Sequence, residues 1–378
     1  MALPSVSVVV VNLNGCSHLA PCFSSLLKQE YPPDRLELIL VDNGSRDGSL
    51  ELMAEQFPTV RVIATGENIG FAPAVNRGAA AATGRYLALI NNDAYADPRW
   101  IPTMVAALEA NREQGVVCIG ARLLDWYGQR IDFVAGGVNL AGMGNQFFHG
   151  LPVDAVRVAQ GEILFACGGA MLVDRAVFLD VGGFDDDFFM YFEDVDFGWR
   201  LWVRGYRVLL VPDAVVHHRQ HATSSRVRNY QLQTLFERNA LLTIIKNYGE
   251  ENLYRMLSFS LLLMMGRSLG EAGGAIDRSE WNVGLRKDGE SAGDGVLVPR
   301  MALSQLMALK DILEAFPHIW RKRQAIQDRR GRDDREILPL FRYPLGASYH
   351  RMPYLLFQQY LVDALGLHDI QPDLRMHR

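Results

Sequence analysis

The sequence contains little cysteine and no long apolar segment. Its 378 residues include four cysteines, none of them in a C-x-x-C pair, so neither a zinc cluster nor a disulfide framework is predicted. This cysteine usage fits a reducing cytoplasm. The apolar segment 256–265 is far shorter than the roughly 20 residues that a membrane-spanning helix needs. No basic segment precedes the valine run at residues 8–11, so we expect no signal peptide.

Positive charge is not in excess either. The net charge is −5, which excludes a basic protein that coats nucleic acid, and we expect no nucleic-acid partner. Apolar residues make up 49% and charged residues 21% of the chain, so it is expected to bury a large core rather than to be disordered. At about 150 residues per domain, the chain has room for two or three domains.

Two common ligand-binding motifs are missing. Residues 11–15, after the first predicted strand, lack the G-x-G-x-x-G pattern of a dinucleotide fingerprint. The acidic residues 185–196 lack the D-x-[DN]-x-[DN]-G pattern of a calcium loop. A nucleotide or metal site must therefore be built from other residues.

The first half of the sequence alternates predicted strands with predicted helices. Residues 7–11 form a continuous β-branched run, which is typical of a strand buried on both faces. Further apolar runs predict strands at 36–41, 60–64, 86–90, 116–119, 171–173 and 208–211. Helical patterns lie at 17–29, with Ser17 as the predicted cap, and at 47–56, 73–82, 98–111, 175–181 and 193–204. This order predicts an α/β fold with a mostly parallel central sheet and ligands at the carboxyl ends of its strands.

Polar clusters close two of these strands. Asp42 follows the strand at 36–41, where a carboxylate is able to accept the N–H of a pyrimidine ring or to form a simple Asx turn. Asn91-Asn92-Asp93 closes the strand at 86–90. Its carboxylate is suited to a divalent ion that neutralises a diphosphate, and its amides to a ribose, although a turn again explains the same residues.

Six of the twelve residues 185–196 are acidic, with large apolar residues between them. A solvated helix start would explain Glu193 and Asp194 but not their aromatic neighbours. Carboxylates crowded against aromatic surface can have one pKa raised toward that of a useful base. Near the end of the strand at 208–211 come His217, His218 and His221, where a histidine is either a metal ligand or a surface or core side chain.

Beyond about residue 224 the sequence is predicted to be helical, at 230–247, 253–265, 300–316 and 319–330, with a glycine-rich loop at 270–295. The apolar residues 261–265 would assist membrane binding, form a bundle core or form a dimer interface. The basic tail residues, balanced by acids, form either a solvated face or an attachment to an anionic membrane surface. They are Arg321, Lys322, Arg323, Arg329, Arg330, Arg332 and Arg335. Trp126, Tyr127, Trp199 and Trp202 either stack on sugar rings or belong to the core.

In combination, these motifs resemble family 2 glycosyltransferases, and more narrowly the bacterial rhamnosyltransferase-like branch. The resemblance is close over about residues 5–250. The matching segments are residues 7–15, 41–49, 67–72, 91–93, 182–185 and 188–196. The resemblance implies a GT-A fold and inverting transfer of a sugar, with rhamnose favoured, from a nucleotide-diphospho-sugar. It further implies a glycan or lipid-linked glycan as acceptor, in cell-surface polysaccharide biosynthesis.

The resemblance also implies which residues bind the donor. Asp42 matches the residue that contacts the nucleobase, and Asn12 and Asn14 lie on the loop beside it. The segment 91–93 matches the D-x-D site, but amides replace its first two expected acids, so Asp93 is its only acidic ligand. The other implied nucleotide and sugar contacts are Asn68, Gly70, Asn76 and Asn92.

For the chemistry, the resemblance implies that Asp194 of the Glu193-Asp194 pair is the base. Asp93 and His218 are the implied metal ligands, and the histidine nitrogen favours Mn²⁺ over Mg²⁺. The resemblance assigns Gly169 to acceptor binding. Glu193 and Asp196 are assigned to acceptor binding or to helix-start electrostatics, without a choice between them.

The implied organisation is a GT-A domain at 1–225, with a nucleotide-binding half at 1–120 and an acceptor-binding half at 121–225. A helical C-terminal extension at 226–378 follows. The expected cofactors are Mn²⁺ or Mg²⁺ and a dTDP- or UDP-sugar. The expected location is the cytoplasm. Peripheral attachment to the inner face of the plasma membrane and formation of a homodimer are both left open.

Two other function classes stay open. A sugar-phosphate nucleotidyltransferase would normally carry a glycine-rich, basic loop after its first strand, which is not the sequence at 12–15. A non-catalytic carbohydrate-binding protein that keeps the fold would not need Asp93, Asp194 and His218 intact.

Overall fold

The computed structural model describes residues 3–219, 228–272 and 300–370. His221 and residues 273–295 of the predicted loop lie outside these ranges. The strands of the described chain are β1 (Val6–Asn12), β2 (Leu36–Asp42), β3 (Arg61–Ala64), β4 (Tyr86–Asn91), β5 (Ala94–Ala96), β6 (Val116–Asp125), β7 (Ile131–Phe133), β8 (Ala135–Val138), β9 (Gly144–Phe147), β10 (Gly161–Glu162), β11 (Ala170–Asp174) and β12 (Arg207–His218). The helices are α1 (Cys16–Leu26), α2 (Ser49–Gln56), α3 (Phe71–Ala81), α4 (Trp100–Asn111), α5 (Arg175–Asp180), α6 (Glu193–Val203), α7 (Asn229–Asn247), α8 (Glu250–Ala272), α9 (Arg300–Gln327), α10 (Asp334–Ile337) and α11 (Met352–Ala364).

One ten-stranded sheet forms the centre of the molecule. Its order is β10-β12-β6-β11-β4-β1-β2-β3, with β5 paired to β12 and β7 to β6. The half made of β4, β1, β2 and β3 is parallel, as the sequence predicts. Beyond it β11 runs antiparallel to both β4 and β6, whereas β6 and β12 are parallel. The α/β fold is confirmed, and the antiparallel pairs belong to its second half.

The central position of β1 explains its composition. Val8, Val9 and Val10 are all buried, because β1 has neighbours on both edges and helices against its faces. The carboxyl ends of β1, β2 and β4 come to one edge, where Asn12 pairs with Asp42 in register and Val11 with Asn91. The polar residues that close these strands therefore meet at a single place.

Several element boundaries differ from the sequence prediction. β12 continues past Pro212 to His218, with a register irregularity that accommodates the proline, instead of ending at residue 211. α1 begins at Cys16, so Ser17 lies inside the helix and is not its cap. α9 is continuous through Pro317, where the sequence predicts two helices. Residues 270–272 belong to α8, and the sequence patterns missed α11.

The helices after residue 228 pack against α6 and against one another. Trp199 of α6 contacts the rings of Tyr248 and Phe341 edge-on, with centroids 4.8 and 4.9 Å apart. Trp199 and Trp202 are both buried and belong to the core, whereas Tyr127 is exposed. None of the helices in the described ranges is long and apolar enough to cross a membrane.

Several basic side chains of the tail bind the rest of the protein. Arg323 is buried, donates to the carbonyl of Ile245 at 2.8 Å and pairs with Glu250 at 2.7 Å. Arg332 donates to the carbonyl of Tyr206 at 2.6 Å. Arg323 thus joins helices within the extension, and Arg332 attaches the extension to the turn before β12. Neither the solvated-face nor the membrane interpretation predicts these contacts.

A buried ion pair joins the helices of the extension. The guanidinium of Arg267 on α8 binds both carboxylate oxygens of Glu237 on α7, at 2.7 and 2.6 Å. It also donates to the hydroxyl of Tyr354 on α11 at 2.8 Å. Both charged side chains are at most 5% exposed, so each neutralises a charge that would otherwise lie unpaired in the interior.

We predict that Arg267→Ala lowers the free energy of unfolding by about 3–5 kcal/mol, because Glu237 would keep a buried, unpaired charge. Urea unfolding followed by circular dichroism measures this change. Lys310→Ala is the control, because the Lys310–Glu314 pair on α9 is exposed and should have little effect on stability. An equally small change in both variants would contradict the interpretation of the buried pair.

Candidate active site

Asn12, at the end of β1, is the centre of a buried hydrogen-bond network. Its amide nitrogen lies 3.2 Å from Asp42 Oδ1 and 3.0 Å from the hydroxyls of Ser45 and Ser49. Its amide oxygen accepts from Asn92 Nδ2 at 2.7 Å. One side chain thus joins the ends of three strands. The predicted residues Asn12, Asp42 and Asn92 are therefore in contact.

Asn14 shapes the loop beside this network. Its φ is +51°, which places it in the left-handed region that asparagine tolerates. Its backbone N–H donates to Ser45 Oγ at 2.9 Å, and its side-chain oxygen accepts from the N–H of Arg46 at 2.8 Å. The loops after β1 and β2 are thereby held together.

A second asparagine network leads away from β2. Asn43 Nδ2 donates to Asn68 Oδ1 at 3.0 Å and to the carbonyl of Gly70 at 3.1 Å. Gly70 has φ +96°, and a Cβ there would lie 2.7 Å from the ring of Phe189, so only glycine fits. Asn68 and Gly70 thus connect the end of β2 with the acidic segment.

The segment 91–93 reaches three different parts of the site. Asn92 contacts Asn12, as described, while Asp93 Oδ1 lies 3.0 Å from His218 Nε2. Asn91 Nδ2 lies 3.4 Å from the same histidine nitrogen. On its other side Asn91 packs against Gly169, where a Cβ would lie 2.8 Å from the asparagine amide. This segment is the point at which the predicted site residues converge.

Asp132 holds His218 from the opposite side. Its Oδ2 lies 2.6 Å from His218 Nδ1. Burial alone would lower the pKa of His218, but the hydrogen bonds and charges of Asp132 and Asp93 outweigh it and raise the pKa to about 10. His217, by contrast, stacks on Tyr95 with ring centroids 4.4 Å apart and does not face Asp93.

Asp93 and His218 have the side-chain types that hold a divalent ion. The 3.0 Å between Asp93 Oδ1 and His218 Nε2 is that of a hydrogen-bonded ion pair, so an ion bound by both atoms would have to displace the Nε2 proton. A metal-bound histidine usually gives its other ring nitrogen to a carboxylate, as His218 does with Asp132. Within residues 3–219, 228–272 and 300–370, no group of three or more acidic, histidine or cysteine side chains converges as a metal site. The other ligands would therefore be phosphates of the donor and water.

Asp194 lies at the start of α6, in contact with the turn before β11 that contains Gly168 and Gly169. The backbone N–H of Gly168 donates to Asp194 Oδ2 at 2.9 Å, and that of Val195 donates to Oδ1 at 2.8 Å. Burial raises the pKa of Asp194 above that of an ordinary aspartate, although these hydrogen bonds oppose the shift.

Glu193 is buried beside Asp194, and its Oε2 has no hydrogen-bond partner in the described chain. Burial and the charge of Asp194 both raise the pKa of Glu193 well above its usual value. Two backbone N–H groups stabilise the Asp194 carboxylate as an anion, whereas Glu193 Oε2 has no such donor in the described chain, so Asp194 is the better candidate of the pair to accept a proton.

Two predicted site residues have structural contacts instead. Asp196 is fully buried, and its carboxylate binds Arg200 at 2.7 Å and Lys246 at 2.9 Å, so it faces the core and not an acceptor. Asn76 Nδ2 donates to the carbonyl of Phe184 and to Asp186 Oδ1, both at 2.7 Å. Asn76 therefore fastens α3 to the acidic segment, and its side chain is not directed at a nucleotide.

The sequence patterns missed three polar residues of the site. Asn43 stands beside Asp42, which the patterns did select, in the cluster that closes β2. Asp132 lies in β7, within a stretch whose sequence shows no clear periodicity. Asn239 belongs to α7 and is nearly fifty residues away from the segment that it contacts.

The chain is similar to known proteins along most of its length. Residues 7–182 match the family described as Glycosyl transferase family 2, and residues 142–240 match Glycosyl transferase family group 2. An N-acetylglucosaminyl-diphospho-decaprenol L-rhamnosyltransferase of Mycobacterium tuberculosis is 32% identical over 244 residues, covering 57% of this chain and 76% of that protein. The O-antigen biosynthesis protein RfbC of Myxococcus xanthus is 29% identical, over 57% of this chain and 17% of RfbC.

Two solved structures share the fold. S. aureus TarS in complex with UDP has a TM-score of 0.50 at 15% identity, covering 92% of this chain and 93% of TarS. GalNAc-T7 with UDP, GalNAc and Mn²⁺ has a TM-score of 0.53 at 18% identity, covering 74% of this chain and 53% of GalNAc-T7. The fold, the strand-end site and the sequence matches agree, and they favour a glycosyltransferase over the nucleotidyltransferase alternative. The chain belongs to glycosyl transferase family 2.

Proposed function

We propose that the protein transfers a sugar, with L-rhamnose as first candidate, from a dTDP- or UDP-sugar to a hydroxyl of a lipid-linked glycan. The configuration at the anomeric carbon is inverted. The observation that carries this proposal is the continuous set of contacts from Asp194 through Gly168 and Gly169 to Asn91 and His218. It brings a carboxylate of raised pKa next to the pair that suits a diphosphate-bound metal ion. The mycobacterial relative, by its name, acts on a diphospho-decaprenol acceptor and is a rhamnosyltransferase.

The donor would lie along the carboxyl ends of β1, β2 and β4. Asp42 accepts from the nucleobase, while Asn12 keeps the Asp42 carboxylate in place. Asn68 and Gly70 line the path from the nucleotide toward the acidic segment. A Mn²⁺ or Mg²⁺ ion held by Asp93 and His218 would supply charge neutralisation to the leaving diphosphate.

Asp194 would act on the acceptor. Its carboxylate removes the proton from the attacking hydroxyl, which approaches from the face opposite the diphosphate. Burial and the charge of Asp194 raise the pKa of the neighbouring Glu193, which disfavours a second negative charge beside the base. Gly169 lets Asn91 pack against the turn before β11, close to where sugar and acceptor would meet.

A lipid-linked acceptor resides in a membrane, so we propose that the protein acts at the inner face of the plasma membrane. Exposed apolar side chains on α8 and α11 support this placement. They are Met265, Leu269, Met352, Leu356 and Tyr360, each at least 60% exposed.

Asp194→Asn is expected to bind the donor normally but to transfer sugar about 100- to 10,000-fold more slowly, because the amide cannot take the acceptor proton. Turnover is measured by mass spectrometry with dTDP-rhamnose or UDP-sugars and a polyprenyl-diphospho-GlcNAc acceptor, and donor binding by calorimetry. Asp154→Asn, at an exposed acid in a surface turn, is the control and should keep wild-type turnover. Substantial turnover by Asp194→Asn would remove Asp194 from the role of base, and a wild-type protein that forms no glycosidic product would refute the proposed function.

The transfer rate should rise with pH as Asp194 loses its proton, with a midpoint above the ordinary aspartate pKa of about 4. Below that midpoint the base is protonated and inactive. Glu193→Gln should keep a similar midpoint even if it changes the plateau rate, because burial is the main cause of the raised Asp194 pKa. A midpoint that moves downward in Glu193→Gln would show instead that Glu193 carries the charge that shifts Asp194.

Asp132→Asn should weaken Mn²⁺ binding by about 10- to 100-fold, since the amide no longer orients His218 as a carboxylate does. Calorimetric titration of Mn²⁺ in the presence of nucleoside diphosphate measures the affinity without turnover. Asp97→Asn is the matched control, because Asp97 faces the neighbouring His217, 4.0 Å away, and not His218. Equal Mn²⁺ affinities in the two variants would contradict a metal site at His218.

A further inference from the structure

The acidic segment before Asp194 adopts backbone dihedral angles that its residue types do not favour. Phe189, Tyr191 and Phe192 have φ values of +61°, +65° and +69°, in the left-handed half of conformational space that large side chains avoid. Phe189, with ψ −60°, forms a tight γ-turn closed by a 2.6 Å hydrogen bond from Met190 N to the carbonyl of Phe188. Such a backbone persists only where its surroundings hold it.

The N-terminus of α3 holds this turn on one side. The carbonyl of Phe189 accepts from the backbone N–H groups of Phe71 and Ala72, at 2.6 and 3.3 Å. These two N–H groups belong to the first turn of α3, where no carbonyl within the helix is available to them.

Asn239 of α7 holds the turn on the other side. Its side-chain nitrogen lies within 3.2, 2.9 and 2.8 Å of the carbonyl oxygens of Phe188, Met190 and Tyr191. Asn239 is completely buried, so water cannot replace its amide. The two N–H bonds of one side chain from the helical extension are thus shared among three carbonyls of the strained turn.

The neighbouring Arg238 orients the side chain of Asn239 and adds a further hydrogen bond to the turn. Arg238 Nε donates to Asn239 Oδ1 at 3.1 Å, which orients the amide nitrogen toward the turn. The same guanidinium donates to the carbonyl of Asp187. Every carbonyl from Asp187 to Tyr191 therefore accepts a hydrogen bond from α3 or α7.

Two more residues of α7 hold the far side of Asp194. Lys246 and Asn247, seven and eight positions after Asn239, lie on the same face of the helix. Both donate to Asp196 Oδ1, at 2.9 and 2.8 Å. The catalytic segment is thus bound to α7 both before and after Asp194.

From these contacts we propose that Asn239 is a positioning residue for Asp194, acting through the turn at residues 187–192. The helical extension is in this way a working part of the active site. The inference rests on the proposed function for the role of Asp194 as base. The contact with the turn itself is testable without turnover.

Asn239→Ala in the full chain should increase amide hydrogen exchange in residues 186–194, relative to the rest of the protein. It should lower kcat by about 100-fold, as a misplaced base would, while the KM and the binding affinity for the donor stay near wild type. Exchange is followed by mass spectrometry of peptides, and donor binding by calorimetry.

Thr243→Val is the matched control. Thr243 is buried on α7 one turn after Asn239, and its hydroxyl donates to the carbonyl of Asn239 and not to the turn at residues 187–192. It should leave exchange at 186–194 and kcat near wild type. If Asn239→Ala does not fold, Arg238→Ala replaces it, because Arg238 is only half-buried and its loss frees both Asn239 Oδ1 and the carbonyl of Asp187.

Unchanged exchange at 186–194 overturns the proposal. So does an increase spread evenly over the chain, equal in the asparagine and threonine variants, because Asn239 would then serve stability alone. A selective increase at 186–194 with loss of kcat supports it. If Asn239→Ala increases exchange selectively at 186–194 but the wild-type protein transfers no sugar, the contact between Asn239 and the turn is supported while the proposed function is refuted. Failure of this inference and failure of the proposed function are therefore distinguishable.

Discussion

Lys246 lies between two carboxylates, Asp185 and Asp196, and the order of the whole acidic region depends on this buried cation. Its ammonium is 2.5 Å from Asp185 Oδ2 and 2.9 Å from Asp196 Oδ1, and it is 1% exposed. Burial alone would raise the pKa of Asp185, but Lys246 and Lys322 overcome it and hold that pKa well below its usual range. Removing Lys246 would take one buried partner from each carboxylate and leave Asp185 with Lys322 and Asp196 with Arg200, a loss that costs stability in a buried ion network.

The distribution of charge follows from this constraint. The sequence places six acids within residues 185–196, and three of the cations and amides that satisfy them come from α7 and α9. Within the described residues, Asp194 lies outside this ion network and accepts its hydrogen bonds from backbone N–H groups, which leaves the carboxylate free of a cation for its proposed role. Surrounding one acid with a buried ion network in this way fixes the proposed base without neutralising it.

Short polar segments at strand ends give this site its compactness. The three residues Asn91, Asn92 and Asp93 contact Gly169, Asn12 and His218, so one turn joins the proposed acceptor, nucleotide and metal regions. The replacement of two acids by amides in this segment is consistent with that role. Amides can donate hydrogen bonds to neighbouring side chains, whereas ionised carboxylates cannot.

Much of this arrangement is predictable from sequence where the signal is local. Buried strands such as residues 7–11 are uniform apolar runs, and parallel strands bring their carboxyl ends to one edge of the sheet. Asn12, Asp42 and Asp93 at those ends can therefore be predicted from sequence. Asp132 and Asn239 cannot be predicted in this way, because each contacts a residue far away in sequence and belongs to a segment without a motif. For Asp196 the sequence instead predicts too much. Its position close to Asp194 suggests a role in the site, whereas its complete burial shows that it belongs to the core.

The stereochemistry of the product tests the central claim most directly, namely that a carboxylate base activates the acceptor for direct displacement of the diphosphate. The measurement is the anomeric configuration of the newly formed glycosidic bond, determined by NMR on the wild-type product and compared with that of the nucleotide-sugar donor. A single base acting in one displacement predicts complete inversion. Retention of the donor configuration would contradict it, because retention would require a different reaction course in which Asp194 is not simply a base.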